Sequence, residues 1–197
     1  MYRALSWYLI KEKINYENNK DLNSFLSNIS IRFESLEGTK QSVIINNHNV
    51  TEKIRTQEIS SIVSSIASIK EVREFLVKEQ RKIGEAGGIV AEGRDIGTKV
   101  FPHAELKIFL TATINERAKR RKNELEAMGN GTINFEQLRN EIEQRDFEDS
   151  NRKISPLIRA EDAIELISDG CTINQVVGKI LEIYLEKIPK ELHSKIK

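Results

Sequence analysis

Residues 87–102, GGIVAEGRDIGTKVFP, contain an apolar run that leads directly into glycine, arginine, aspartate and a second glycine. The apolar run at 89–92 predicts a buried strand, and the glycines allow the backbone to turn sharply where it ends. Arg94 and Asp95 would then lie at the carboxyl end of a strand, where open α/β sheets bind ligands. The charged pair therefore indicates either a binding site or an ion pair that only closes a turn.

Two further apolar runs follow, LKIFLTA at 106–112 and AIELIS at 163–168, and helical patterns separate the three runs. Strands that alternate with helices predict an α/β core on a parallel sheet. Thr172 and Gln175 form a capping-box pattern that opens a last helix. We expect this helix to turn an apolar stripe toward the core: Val176, Val177, Ile180, Leu181 and Tyr184.

The first half of the chain is predicted to be a helix, a small sheet and two more helices. Three short alternating runs between about 29 and 54 indicate an antiparallel insert, with the third strand at 49–54. Thr56 is a suitable N-cap for a helix with an isoleucine stripe, and a break near Lys70 starts a second helix. Gly87 and Gly88 follow that helix.

Composition argues against several classes of protein. The 197 residues include 31 Lys and Arg against 30 Asp and Glu, so we expect no general nucleic-acid or membrane surface. Any anion site must be local. The single cysteine, Cys171, gives neither a disulfide framework nor a metal cluster, and the three histidines lack partners at ligand spacing. We therefore expect a cytoplasmic protein without a metal site of its own.

Arginine suits a phosphate ligand because its planar guanidinium offers two parallel donors and keeps its charge. Taken singly, each candidate arginine outside the Gly-Arg-Asp segment is better explained by a solvated surface ion pair than by a binding role. Arg145, Asp149 and Arg152 follow at i, i+4 and i+7, which places them on one helix face. Candidate arginines lie on elements that border the predicted strand ends: Arg3, Arg73, Arg94, Arg145 and Arg152.

A second group of arginines lies on a helix that begins at Thr113, with Glu116 in a capping-box position, and stops at Gly129. It comprises Arg117, Arg120 and Arg121. This helix and the next are joined by Gly-Asn-Gly and carry balanced charge over 115–153. The pattern is typical of a movable helical arm.

The segment IVAEGRDIGTKVFPHAELKIFLTATINERAKRRKNEL resembles the central signature of the bacterial cytidylate kinases, which belong to the nucleoside monophosphate (NMP) kinase group. Three further segments are similar to that family in the same order: MYRAL, VTEKIRTQEISSIVSSIASIKEVRE and RDFEDSNRKISPL. The small β insert is also a feature of that family rather than of adenylate kinases. A kinase for UMP or AMP would share the architecture but would not predict the insert.

The resemblance implies a P-loop NTPase-like α/β fold with a three-layer parallel-sheet core, an antiparallel insert and a helical lid. It implies a single kinase domain, truncated at its start, over 1–197. The NMP-binding region would cover 1–86, the core 87–114 and 154–197, and the lid with the acceptor-site arm 115–153.

The same resemblance implies roles for individual residues. Those that would hold the CMP phosphate are Arg3, Arg94 and Arg152, with Arg94, Arg145 and Arg152 as the catalytic group. Those that would read the cytosine edge are Ser64, Arg73 and Asp95, while Arg145 and Asp149 would lie near the ribose and phosphate. The lid arginines that would close over the ATP phosphates are Arg117, Arg120 and Arg121.

The chain departs from the family in one respect, because no G-x-x-x-x-G-K-[ST] loop occurs in it. That loop cradles the ATP phosphates, and ATP with Mg²⁺ is the expected cofactor of the intact enzyme. We expect the first strands and this loop to be absent from the chain. Their absence would expose an apolar sheet edge that lowers stability and promotes association of a protein whose family is expected to be monomeric.

Two functions follow from this pattern. The first is ATP + (d)CMP → ADP + (d)CDP, catalysed only when the phosphate loop is supplied. The second is a non-catalytic CMP-binding or interaction module. Retention of both arginine groups favours the first, because a lid without an ATP site has nothing to close over.

Overall fold

The structure is a computed structural model that describes residues 1–16, 19–34, 41–129 and 131–187. The chain divides into two compact units. The first unit is Met1–Glu92 with Arg152–Ile154, and the second is Gly93–Asn151 with Ser155–Lys197. That the chain forms one kinase domain with the predicted boundaries stays a prediction.

In the part of the first unit that the structure describes, four helices accompany a small antiparallel sheet. The helices are α1 (Tyr2–Lys11), α2 (Asn19–Leu26), α3 (Gln57–Ser68) and α4 (Lys70–Gly84), and a short 3₁₀ helix covers Lys53–Arg55. The strands, in sheet order, are β1 (Ile31–Glu34), β2 (Ser42–Ile45) and β3 (His48–Asn49). The predicted antiparallel insert therefore forms, with Ile31 opposite Ile45.

The predicted third strand of the insert is wrong beyond its first residue. β3 ends at Asn49, and the following segment turns into the 3₁₀ helix instead of continuing to residue 54. The side chain of Thr51 accepts a hydrogen bond from Val43 N, and Val50 N donates to Val43 O. The Val50 bond continues the ladder by one contact, but the Thr51 hydroxyl then takes the place of a backbone carbonyl as the acceptor for Val43 N, and the ladder ends there.

An apolar cluster of described residues holds the first unit together. Leu5 and Leu9 lie one turn apart on α1, and both are fully buried against residues of α3, α4 and β2. The predicted stripe on α3 is confirmed, since Ile59, Val63 and Ile66 are buried. Thr56 caps this helix by accepting from Ile59 N. Burial of each large aliphatic side chain contributes about 1.5–3 kcal/mol, so this core stabilises the unit.

The second unit contains the parallel pair that the sequence predicts. Strands β4 (Ile108–Thr111) and β5 (Ile164–Ile167) pair in parallel, with Ile108 opposite Ile164. The helices are α5 (Ile114–Ala127), α6 (Phe135–Asn151) and α7 (Ile173–Lys187). Both predicted N-caps form, since Thr113 Oγ1 accepts from Glu116 N and Thr172 Oγ1 accepts from Gln175 N. The reciprocal bond of the capping box is present at α7, where Thr172 N donates to Gln175 Oε1, whereas at α5 Thr113 N donates to Asp169 instead of Glu116.

The strand predicted at 89–92 does not form. Ile89 is 42% exposed and Val90 is 103% exposed, and this segment has no regular secondary structure. Within the described residues, the parallel sheet consists of β4 and β5, and neither pairs with 89–92. A strand needs a hydrogen-bonded neighbour and a packed face, and this segment has neither.

The predicted burial of the apolar stripe on α7 is also wrong. Val177 is 57% exposed, Leu181 and Tyr184 are exposed too, and no described residue of α7 is buried. The two-stranded sheet likewise exposes Leu110 and Ile167. A two-stranded sheet is too narrow to cover a helix of four turns, so the second unit keeps apolar surface in contact with solvent.

Candidate functional site

Asp149 on α6 organises a charged cluster in the second unit. Its side chain is buried, and Oδ2 accepts a hydrogen bond of 2.8 Å from Arg94 Nε. Arg145 Nε lies 4.0 Å from the same oxygen, one helical turn earlier. Asp149 O also accepts from Leu157 N, which ties the following segment to this point. The fold thus brings together Arg94 and Asp149, which are 55 positions apart in the sequence.

The two guanidinium groups of this cluster remain accessible. The Arg94 and Arg145 side chains are 44% and 46% exposed, whereas that of Asp149 is 7% exposed. The buried Asp149 carboxylate holds Arg94 through Nε, and the Arg94 side chain stays partly exposed, so it can donate to a ligand as well. Such an arrangement suits an anionic ligand.

Arg94 and Asp95 lie at a bend that leads into a π-helical turn, Ile96–Val100, rather than at a strand end. Asp95 is buried, and its carbonyl accepts from Lys99 N and Val100 N. The backbone bend predicted beside the charged pair is present, and Gly93 lies within it. A Cβ added at Gly93 would lie 2.9 Å from Ile96 Cγ1, so this glycine permits close packing.

Arg3 lies on α1 in the first unit, where polar groups of the next elements hold its guanidinium. Nε donates to Ile54 O at 2.5 Å, and Nη2 donates to Ser60 Oγ at 2.8 Å. A longer contact of 3.5 Å joins Nη2 to Thr56 O. Sequence reasoning proposed Arg3 but missed Ser60, because nothing in the spacing of a serine-rich helix distinguishes one serine from the next.

Arg73 on α4 is 3% exposed, which is unusual for an arginine. Its Nη1 donates to Ala67 O at 2.9 Å, and its guanidinium carbon lies 5.3 Å from the centre of the Tyr2 ring. Ser64 lies on α3 one turn before Ala67 and is partly buried. Tyr2 was not predicted as a partner; its only sequence signal is its place beside Arg3.

The predicted acceptor-site residues are divided between the two units. Those in the first unit are Arg3, Ser64, Arg73 and Arg152, of which Arg152 is partly buried. Those in the second unit are Arg94, Asp95, Arg145 and Asp149. Within the second unit the structure brings Arg94, Arg145 and Asp149 together. That the two sets meet around one ligand stays a prediction.

The predicted lid arginines bond to protein acceptors in this structure. Arg117 donates to both carboxylate oxygens of Asp146, which joins α5 to α6. Arg120 donates to Ser168 O and Ser168 Oγ after β5, and also to Glu116. That these arginines close over ATP phosphates stays a prediction.

Arg121, the third predicted lid arginine, bonds to Glu124 within its own helix. This contact keeps its side chain along the surface of α5. Ion pairs of this kind, three residues apart on an exposed helix face, contribute a few tenths of a kcal/mol. Opening such a pair therefore costs little, which is compatible with the predicted role.

Asp169 joins the two loops that follow the parallel strands. Its carboxylate accepts hydrogen bonds from the hydroxyl and the backbone N of Thr113, the N-cap of α5. The Thr113 hydroxyl, more than its backbone N, holds the pKa of Asp169 below its ordinary range.

Among the described residues, no group of three His, Cys, Asp or Glu is arranged to hold a metal ion. No described helix is long and apolar enough to span a membrane.

Comparison with known proteins agrees with the resemblance seen in the sequence. The family model for cytidylate kinase matches residues 1–186. The chain therefore belongs to the cytidylate kinase family and is a kinase by family. This assignment confirms the family predicted from the Gly-Arg-Asp segment and its neighbours.

The relatives include long proteins named bifunctional pantoate ligase/cytidylate kinase. One from Prochlorococcus marinus strain MIT 9312 is 65% identical over 191 residues, covering 97% of this chain and 38% of that protein. One from strain CCMP1986 is 65% identical over 192 residues, covering 98% of this chain and 38% of that protein. One from Synechococcus sp. strain RCC307 is 43% identical over 191 residues, covering 97% of this chain and 37% of that protein. This chain spans less than two fifths of the length of these relatives.

Proposed function

We propose that this chain binds CMP or dCMP and presents it as the phosphoryl acceptor in the reaction ATP + (d)CMP → ADP + (d)CDP. The observation that carries the proposal is the cluster of Arg94, Arg145 and the buried Asp149. It holds two partly exposed guanidinium groups beside one buried carboxylate. Family membership supplies the class of reaction.

The positive charge of this cluster would offset the repulsion between the two anionic reactants. A phosphate oxygen of CMP must attack the γ-phosphorus of ATP, and the bond from that phosphorus to the bridging oxygen must break. Both reactants are anions, so cations must offset their repulsion and align them. Arg94, Arg145, Arg152 and Arg3 are the groups we assign to the acceptor phosphate. Arginines in such positions accelerate the transfer by roughly 10³ to 10⁵.

The base would be recognised by Ser64, Arg73 and Asp95. The burial of Arg73 and Asp95 supports this assignment, because buried polar groups discriminate strongly when the wrong base leaves them unpaired. In this proposal, these three residues make the site bind CMP in preference to UMP and AMP. Arg73→Ala is expected to weaken CMP binding, and an unchanged affinity would remove Arg73 from the base site.

ATP with Mg²⁺ is the donor in this proposal, with Arg117, Arg120 and Arg121 closing over its phosphates. The sequence lacks a G-x-x-x-x-G-K-[ST] loop, so we assign that loop to polypeptide outside this chain. The exposed apolar surface of α7, β4 and β5 supports an arrangement in which further polypeptide covers it. The remaining features we propose are a cytoplasmic location, a monomeric complete enzyme and no nucleic-acid partner.

Calorimetric titration with the nucleotides CMP, dCMP, UMP and AMP, and with cytidine as the nucleoside control, tests the acceptor assignment. We expect this chain to bind CMP and dCMP in preference to the other two, and Arg145→Ala to abolish the preference for nucleotide over cytidine. Arg139→Ala is the matched control, because Arg139 lies on the same helix but bonds to Asn115. Equal binding of all four nucleotides would contradict the proposal.

A coupled assay for ADP tests the donor assignment. This chain with Mg²⁺, ATP and CMP is expected to show no turnover, whereas the same sequence within a protein that carries a phosphate loop is expected to turn over. Turnover by this chain alone would reveal an ATP site elsewhere in its own residues. Tight CMP binding without turnover in the longer protein would favour a non-catalytic binding module.

A further inference from the structure

The guanidinium of Arg3 is held by acceptors from two elements that follow the small sheet. Ile54 O, in the 3₁₀ helix, accepts from Nε, and Ser60 Oγ, in the first turn of α3, accepts from Nη2. Bonds from both Nε and Nη2 fix the plane of the guanidinium as well as its position. A phosphate that meets Arg3 therefore meets a donor set of defined orientation.

Ser60 is suited to act as an acceptor because of a second hydrogen bond. Its hydroxyl donates to Thr56 O, one helical turn earlier, at 2.9 Å. The hydroxyl hydrogen is thereby directed along the helix, and an oxygen lone pair is presented to Arg3. Thr56 O is itself 3.5 Å from Arg3 Nη2, so the same turn of α3 contacts the guanidinium twice.

The neighbouring serines show that a hydroxyl bonded back into its helix is common on α3. Ser61 donates to Glu58 O at 2.8 Å, and Ser65 donates to Ile62 O at 2.7 Å. Ser61 projects about 100° away from Ser60 around the helix. Ser60 differs from these serines in its bond to Arg3.

We propose that Ser60 is a positioning residue of the acceptor site, which orients Arg3 toward the phosphate of the bound nucleotide. This inference rests on the proposed function, in which Arg3 contacts the CMP phosphate. Ser60 acts through Arg3 and does not touch the nucleotide. Its effect must therefore depend on the phosphate, and it must vanish for a nucleoside that has none.

The test compares four variants of the chain by calorimetric titration with CMP and with cytidine: Ser60→Ala, Ser60→Thr, Ser61→Ala and Arg3→Ala. Because Ser60 acts on the phosphate only through Arg3, the loss is expected to match a typical single hydrogen bond, and Ser60→Ala should weaken CMP binding about three- to tenfold. Cytidine affinity should not change. Ser60→Thr keeps the hydroxyl and should restore CMP affinity, and Ser61→Ala should match the wild type.

A measurement without nucleotide checks the contact itself. The Arg3 Nε–H signal in ¹⁵N-resolved NMR should exchange slowly with water in the wild type and in Ser61→Ala. It should exchange faster in Ser60→Ala, because the guanidinium loses one of the two short hydrogen bonds that hold its Nε–Nη2 edge. This readout does not depend on whether Arg3 contacts a phosphate.

The outcomes separate the inference from the proposed function. Equal CMP affinities for Ser60→Ala and Ser61→Ala, with Arg3→Ala much weaker, would overturn the role of Ser60 alone. Tighter binding by Ser60→Ala would also overturn it, because Ser60 would then restrain Arg3 away from the phosphate. If Arg3→Ala binds CMP as the wild type does, or if the wild type does not bind CMP, the proposed function fails and the inference with it.

Discussion

Asp149→Asn tests how far the charged cluster stabilises the second unit. Asp149 is 5% exposed and accepts a 2.8 Å bond from Arg94 Nε, with Arg145 at 4.0 Å. Breaking a fully buried ion pair costs about 3–5 kcal/mol, while an exposed pair contributes about 0.2–1 kcal/mol. Arg94 is 44% exposed, so solvent screens it, and asparagine keeps one acceptor oxygen. We therefore expect a loss of about 1–2 kcal/mol in the free energy of unfolding.

Urea denaturation followed by circular dichroism measures this loss. Glu148→Gln is the matched control, because Glu148 is the exposed neighbour on α6 and bonds to Gln144. A double-mutant cycle with Arg94→Gln isolates the pair, and we expect Asp149→Asn to cost little once Arg94 is replaced. If Asp149→Asn and Glu148→Gln have the same unfolding free energy, the buried carboxylate does not hold Arg94 and the reasoning is refuted.

Three further predictions concern features away from this cluster. Because hydrogen bonds from Thr113 lower the pKa of Asp169, its contribution to stability is complete above about pH 4 and is lost as pH falls through that lowered pKa. Acid titration by circular dichroism should show Asp169→Asn less sensitive to pH in this range, and an unchanged titration would contradict the assignment. Gly93→Ala places a Cβ 2.9 Å from Ile96 Cγ1 and should destabilise by about 1 kcal/mol or more, whereas Gly178→Ala, in open space on α7, should stabilise by about 0.4–1 kcal/mol. Thermal melts compare the two glycine variants, and a higher melting temperature for Gly93→Ala would refute the close packing. Leu181→Lys on the exposed face of α7 should reduce self-association in analytical ultracentrifugation without lowering the melting temperature, and a lowered melting temperature would mean that this face is packed.

Local sequence signals predicted most of the individual elements. The caps at Thr56, Thr113 and Thr172 each use a hydroxyl that accepts from a backbone N three residues later, so local sequence is enough to predict them. The antiparallel insert and the parallel pair also form. Alternating apolar residues with turn residues between them identify such strands directly.

The errors concern elements whose state depends on distant neighbours. The apolar letters at 89–92 are compatible with a buried strand, but a strand forms only where another strand bonds to it. The stripe on α7 has helical spacing, yet burial needs a surface wide enough to cover it, and the two-stranded sheet is narrow. Periodicity predicts which residues share a face and leaves open what that face contacts.

The candidate site shows the same division between local and distant information. The sequence by itself determined the residue types, their order and their helix faces, and through the family resemblance it indicated which arginines matter. Only the tertiary structure showed which residues contact one another. It revealed the hydrogen bonds of Arg94 with Asp149 and of Arg3 with Ser60, and the contact of Arg73 with the Tyr2 ring. The two residues of each pair are at least 55 positions apart in the chain, so no local preference could select them. Hydrogen bonds across such separations form only after packing of the elements has brought the partners together, because loop closure costs more free energy than one bond returns.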